Sequence, residues 1–207
     1  MQSRREAGQR RRSLTRRELL EAGGLTLACG LAGWGVRTGL GQAAPTLLRP
    51  PGARRDAEFL ASCIRCGLCV EACPYGALRL APAGEAAAAG TPHVVARQVP
   101  CSLCQGYGEM RCMPACPTGA LRPVAERSGV RMGVAVIDRD TCFAWNDVIC
   151  RACWQACPFP GVALALDSRD RAVVNREACV GCGICEHVCV TEPGSIRIVP
   201  SGAGERA

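Results

Sequence analysis

Residues 63–75 read C-I-R-C-G-L-C-V-E-A-C-P-Y. Cys63, Cys66 and Cys69 stand three positions apart, Cys73 follows after three more residues, and Pro74 comes directly behind it. Thiols at that spacing fit one tight turn of backbone wrapped around three corners of a compact metal group, and Gly67 lets the turn close without a side chain in the way. The fourth corner faces elsewhere and needs a distant cysteine. Pro74 carries the chain away from the turn and has no N–H of its own.

The pattern recurs three times. A second set is Cys101, Cys104, Cys112 and Cys116 with Pro117; a third is Cys142, Cys150, Cys153 and Cys157 with Pro158; a fourth is Cys179, Cys182, Cys185 and Cys189, where Val190 replaces the proline. These sets use sixteen of the seventeen cysteines and leave Cys29. The compact run is the one by which bacterial-type ferredoxins hold 4Fe-4S clusters, the fourth cysteine ligating the other cluster of a pair. Four complete sets imply four 4Fe-4S clusters with all sixteen cysteines as ligands.

Composition supports metal over the alternatives. Only 4% of the 207 residues are aromatic, whereas Gly (24), Pro (14) and Cys (17) abound, so an ordinary aliphatic-aromatic core is hard to build and something else must hold the fold. Disulfides are the plainer explanation of dense cysteine, but three cysteines within seven residues have poor geometry for bridging one another. Zinc takes two separated pairs, which compact triplets fit poorly.

The net charge of +7 does not signal nucleic acid. Residues 1–43 hold eight Arg against three Glu, so residues 44–207 keep a surplus of only two. Four oxidised clusters, each carrying about −2 with its thiolates, would bring that part to roughly −6. No basic stripe with interleaved aromatics occurs there.

Residues 1–43 read as a targeting segment. The arginine-rich start ends in T-R-R-E-L-L (Thr15 to Leu20), followed by a mildly apolar stretch and the small-residue run G-L-G-Q-A-A-P. This resembles a twin-arginine signal with Arg16 and Arg17 as the pair, and cleavage is expected after Ala43. A physical reason agrees: clusters are assembled in the cytoplasm, so an exported cluster protein must cross the membrane already folded. Cys29 falls inside this leader, either as one more small apolar residue or as a lipidated cysteine that would associate the protein peripherally with the membrane.

Residues 44–58 read as a polar linker without periodicity, residues 59–200 as the cluster domain and residues 201–207 as a tail. Within the domain a unit repeats: a short strand, a cysteine turn with a one- or two-turn helix, then C-P and another short strand. Returning strands are expected at V-V-A-R-Q-V before Cys101, G-V-A-V-I-D before Cys142 and A-V-V-N before Cys179. The fold class is α+β: small, cluster-stabilised, bacterial-ferredoxin-like domains of short helices and β-hairpins.

Four sets can pair in series or nested. The first and fourth share compact spacing, while the second and third each carry a seven-residue insertion, Q-G-Y-G-E-M-R and F-A-W-N-D-V-I. A pseudo-two-fold pair should match like with like, so two nested modules are expected, with Cys189 completing the site of Cys63, Cys66 and Cys69. The insertions should project as loops and could serve as docking surfaces.

Other candidates carry little. His187 could hydrogen-bond a cluster sulfur, although a solvated helix residue is the plainer expectation; His93 is expected in a loop. Trp145, Trp154 and the methionines are expected to shield the clusters. No nucleophile-base pair, phosphate loop or paired-carboxylate pocket is present, so the protein is not expected to be an enzyme.

C-I-R-C-G-L-C-V-E-A-C-P-Y, G-T-P-H-V-V-A-R-Q-V-P-C, C-P-T-G-A-L and A-C-V-G-C-G-I-C-E-H-V-C together resemble the ferredoxin-type proteins of the NapG/MauM family, over nearly all of the chain from Cys63 to Val199. The resemblance implies a periplasmic four-cluster protein, exported by the twin-arginine route. Its partners would be a membrane quinol-oxidising ferredoxin-type protein and a periplasmic oxidoreductase or cytochrome, in nitrate reduction or methylamine utilisation. More distant alternatives are an electron-transfer subunit of a molybdopterin oxidoreductase and a cluster-containing maturation or assembly factor.

Overall fold

The computed structural model describes residues 47–201; the leader, with Arg16, Arg17 and Cys29, and the last six residues lie outside them. The elements are short because C-P and Gly punctuate the chain every few residues. Helices are α1 (Asp56–Ser62), α2 (Leu68–Glu71), α3 (Ala152–Ala156) and α4 (Ile184–His187). Strands are β1 (Leu78–Leu80), β2 (Pro92–Val94), β3 (Gly133–Ile137), β4 (Leu164–Leu166), β5 (Ala172–Val174) and β6 (Ile196–Pro200). They form three two-stranded antiparallel sheets, β1 with β2, β3 with β6 and β4 with β5. The α+β class holds.

Strand pairing decides how the cysteine sets are grouped. The β1–β2 hairpin leads from the first set to the second, and the exit of the second returns to the stretch before the first: Ala53 bridges Leu121, and the N–H of Arg122 donates to the Gly52 carbonyl at 2.7 Å. The second half repeats this plan. The β4–β5 hairpin leads from the third set to the fourth, and β6 returns to β3, with Gly133 opposite Pro200 and Ile137 opposite Ile196. Each half is therefore closed by its own ends, and the two modules lie in series rather than nested. The matched-spacing expectation fails because the lengthened cysteine turns leave the strand closures of each half unchanged, and it is those closures that decide the pairing. Series pairing also closes shorter loops, which costs less chain entropy.

The expected linker is also corrected. From Leu48 onward residues 44–58 belong to the folded module, since the Leu48 carbonyl accepts the Val94 N–H at 2.8 Å and Leu48 is buried. Arg49 is buried as well, and a buried guanidinium needs partners. It has them in Asp56 Oδ1 at 2.8 Å, Thr91 Oγ1 at 2.8 Å and the ring of Phe59, whose centroid lies 4.9 Å from its carbon. Phe59 on α1 is fully buried, so the Pro-rich segment and α1 together cover the first module.

Two of the expected strand features differ. Only Val94 of V-V-A-R-Q-V is in a strand, because Val95 starts a turn in which its carbonyl accepts from the N–H groups of Gln98 and Val99. His93 lies in β2 rather than in a loop; it is buried, and burial lowers its pKa.

Candidate metal centres

The cysteine thiols gather in four shells of four. Cys142, Cys150, Cys153 and Cys189 line one small cavity, Cys157, Cys179, Cys182 and Cys185 a second, and Cys73, Cys101, Cys104 and Cys112 a third. The fourth shell surrounds Cys69, whose thiol is pushed up to about 11 by burial and then by the neighbouring charges of Cys63, Cys116 and Cys66. Every predicted ligand is thus placed, but with Cys116, not Cys189, completing the first set, and Cys73 completing the second.

All sixteen of these cysteines are free thiols. Among the described residues no three His, Cys, Asp or Glu side chains converge closely enough for a single metal ion. Thiols ringing an open space, instead of meeting at one point, suit a polynuclear cluster and not tetrahedral zinc. Donor chemistry agrees, because backbone amides also point at the sulfurs: the N–H of Ala77 lies 3.4 Å from Cys73 Sγ and that of Ala135 3.5 Å from Cys179 Sγ. A 4Fe-4S cluster fits each shell, and the sixteen cysteines would hold four.

Backbone conformation explains the turns. Gly67 and Gly183 occupy the left-handed region at φ 78° and 86° and start α2 and α4, so each turn can reverse between its second and third cysteine. No protein atom lies within 4 Å of a Cβ built at Gly67, so its requirement is conformational. Gly183 differs, since an added Cβ would stand 2.5 Å from that of Ala96.

Burial raises several of the thiols, Cys157 among them. It pushes Cys101 and Cys112 up to about 12 and Cys182 and Cys153 up to about 11, neighbouring thiolates adding to the effect, and it raises Cys185 further still. Cys116 and Cys189 behave oppositely. Burial pushes both upward, but hydrogen bonds outweigh it: the Leu121 N–H and the Thr118 hydroxyl at Cys116, and the hydroxyl and N–H of Thr191 at Cys189, leave both thiols below their ordinary value.

The shells form a row. Cys69 of the first faces Cys112 of the second within one module, as Cys185 of the fourth faces Cys153 of the third within the other. Between modules, the second and fourth meet where the Cys101 N–H donates to the Cys182 carbonyl at 2.9 Å. The order is first, second, fourth, third. At one end Cys66 is exposed between Ile64 and Leu68; at the other Phe143 and Val190 wall the cavity, and Ile149 is 88% exposed.

The insertions are tied loops. Arg127 donates to the carbonyls of Leu103, Cys104 and Tyr107, and the Tyr75 hydroxyl donates to the Gln105 carbonyl, so the first insertion is stapled over its shell. In the second, Trp145 lies between the guanidinium groups of Arg139 and Arg171, at 4.1 and 4.3 Å, and donates to the Ala172 carbonyl at 3.2 Å. Trp145 therefore pins the insertion to β5. Trp154 and Met110 do pack around the thiols as expected.

His187 touches no sulfur: its Nδ1 lies 3.0 Å from the Arg97 carbonyl oxygen. Arg97 itself was not foreseen. Its guanidinium donates to the carbonyls of Glu186, Cys189 and Thr191 at 2.7–3.0 Å and pairs with Glu192, strapping the first module to the last cysteine turn. Thr118, Thr191 and Ser195 were also missed. Their signal was present in the difference between C-P-T or C-V-T and the C-P-Y and C-P-F of the other sets.

Comparison with known proteins agrees with this picture. A family model described as a 4Fe-4S dicluster domain matches residues 62–120, which span the first and second sets. The methylamine utilization ferredoxin-type protein MauM of Methylorubrum extorquens is 41% identical over 206 residues, covering 93% of this chain and 92% of the relative. The ferredoxin-type protein NapG of Escherichia coli is 40% identical over 189 residues, covering 84% and 80%. MauM of Paracoccus denitrificans is 38% identical over 208 residues, covering 94% and 91%.

Proposed function

The chain belongs to the family of NapG and MauM ferredoxin-type proteins, and from that membership we propose that it is a periplasmic carrier of electrons with four 4Fe-4S clusters and no substrate site of its own. It would take electrons from a membrane quinol-oxidising ferredoxin-type partner and pass them to a periplasmic oxidoreductase or cytochrome, in nitrate reduction or in methylamine utilisation, the latter being the system for which the MauM relatives are named. The observation that carries this is the row of four complete thiol shells whose inner members meet across Cys101 and Cys182.

Clusters in such shells supply one-electron chemistry with little rearrangement of their surroundings. The chain's own residues fix the sulfurs, exclude water and join the modules. Trp154 and Met110 pack beside the thiols, and Arg97 holds the last cysteine turn against the first module. The exposed side chains at the ends of the row, Ile64 and Leu68 near Cys66 and Phe143 and Ile149 near Cys150, suit partners that approach the two outer shells. Among the described residues no helix is long and apolar enough to cross a membrane, and delivery by the twin-arginine route through Arg16 and Arg17 is part of the proposal.

The test is anaerobic purification of the full chain. About sixteen iron and sixteen sulfide per protein, all reversibly reducible, are expected. Zinc, or clusters that no reductant reaches, would overturn the carrier function. Replacing Arg16 and Arg17 together by Lys should leave the loaded protein in the cytoplasm; normal periplasmic accumulation would reject the export route.

A further inference from the structure

Two of the four remote cysteines carry a hydroxyl partner and two do not. Thr191 Oγ1 lies 3.2 Å from Cys189 Sγ, and Thr118 Oγ1 lies 3.6 Å from Cys116 Sγ. At the same place, two residues after the cysteine, the other sets have Tyr75 and Phe159. Cys189 completes the third shell and Cys116 the first, so both hydroxyls serve the outer ends of the row. The inner shells, completed by Cys73 and Cys157, have none from that position.

We infer that Thr191, and more weakly Thr118, set the reduction potential of the outer clusters by donating a hydrogen bond to the ligating sulfur. This rests on the electron-carrier function proposed above. A ligating cysteine is a thiolate and accepts only, so the proton must come from threonine. Thr191 Oγ1 accepts the Ser195 N–H at 2.8 Å, and the Ser195 hydroxyl 2.7 Å away can donate to it as well. In that arrangement the single threonine proton goes to Cys189, and a charged thiolate is a stronger acceptor than the neutral serine hydroxyl that competes for it. Thr191 and Ser195 are buried, so water does not compete. Thr118 lacks such a backing residue, and its contact is longer.

Reduction adds one electron to the cluster without making or breaking a bond, and the hydroxyl proton stays on threonine. The added negative charge spreads onto the sulfurs, so a donor to sulfur favours the reduced state and raises the potential. Ser195 acts as a positioning residue for Thr191. The hydroxyls thus add a side-chain donor at the two ends of the row, beside the backbone N–H groups of Ala77 and Ala135 that serve the inner shells.

Redox titration of the loaded full-length protein, followed by electron paramagnetic resonance, tests this. The third cluster is identified as the signal altered by Cys189→Ser. Thr191→Val should shift that signal's reduction equilibrium about tenfold towards the oxidised form, a fall of about 59 mV for one electron, and leave the other three in place. Thr191→Ser should restore it, Ser195→Ala should shift it less and in the same direction, and Thr118→Val should give a smaller shift on the first cluster. An unmoved potential in Thr191→Val, or an equal shift of all four clusters, would overturn the inference. A protein whose clusters cannot be reduced at all would reject the carrier function instead. Should Thr191→Val fail to load iron, Ser195→Ala decides the matter by the same signal.

Discussion

The backbone N–H of Cys101 donates to the carbonyl of Cys182 across 2.9 Å, so a ligand of one module is hydrogen-bonded to a ligand of the other. Two independently closed ferredoxin modules would otherwise be free to separate. Here the contact is reinforced by the close approach of Gly183 to Ala96, while the Met132 N–H, donating to the Val180 carbonyl at 3.0 Å, ties the segment before β3 to the fourth set. Proximity of the inner shells thus rests on main-chain contacts, beside a shared core in which Ala96 and Cys101 pack with Val180 and Cys182 and the Arg97 strap described above.

Gly183→Ala perturbs one of these contacts. A left-handed backbone costs a non-glycine residue about 1–2 kcal/mol, and forcing a methyl group into a packed contact adds about 1–3 kcal/mol. Gly161 has a similar φ, 77°, with no protein atom within 4 Å of an added Cβ, so Gly161→Ala carries only the first cost. Anaerobic unfolding followed by circular dichroism should show the larger loss in Gly183→Ala. Equal losses would mean that the approach to Ala96 contributes nothing.

Arg97→Met removes the donors to three carbonyls between Glu186 and Thr191 and keeps most of the side chain's apolar length. Amide exchange should speed up over residues 186–192 and remain unchanged in the β1–β2 hairpin. A uniform rise over both modules would indicate general destabilisation rather than loss of a strap.

Acidity distinguishes the ligands once the clusters are removed. Cys116 and Cys189 lie below the ordinary thiol value, whereas burial pushes Cys101 and Cys112 up to about 12. A lowered pKa gives more thiolate at a fixed pH, and thiolate is the nucleophile. In chelator-treated protein at about pH 8, iodoacetamide should therefore reach Cys116 and Cys189 well before Cys101 and Cys112, as read by peptide mass spectrometry. Labelling at one common rate would show that the cysteine turns do not survive without metal.

The grouping of the cysteines into triplets was legible because spacing is local, as is the C-P exit of the first three sets. The hairpins were legible for the same reason: β4 and β5 enclose a five-residue turn. What spacing could not convey was which remote cysteine joins which triplet, since that depends on pairings between distant segments such as Gly133 with Pro200 and Ala53 with Leu121. Residues 48–55 were mistaken for a linker because their burial comes from single contacts, the Leu48 bridge and the Arg49 guanidinium over Phe59, which leave no periodic signature. Thr191 escaped because one hydroxyl beside a ligand looks like any loop residue until Ser195 is seen behind it.

The series pairing makes opposite demands of two similar substitutions. Cys189→Ser removes the ligand that completes the shell of Cys142, Cys150 and Cys153, while Cys116→Ser removes the one that completes the shell of Cys63, Cys66 and Cys69. In Cys189→Ser the second module should lose or alter a cluster, and β6, which follows directly, should become accessible to protease near Val190. The first module should keep both its clusters, because its ends are closed locally by the bridge of Ala53 to Leu121 and the Arg122 N–H to Gly52. In Cys116→Ser the damage should lie before residue 125 and spare the β3–β6 pair. Iron content, resonance signals and the positions of proteolytic cuts give three readouts of each variant. Loss of the Cys63, Cys66 and Cys69 cluster in Cys189→Ser would restore the nested arrangement and would require the two strand closures seen here to be wrong.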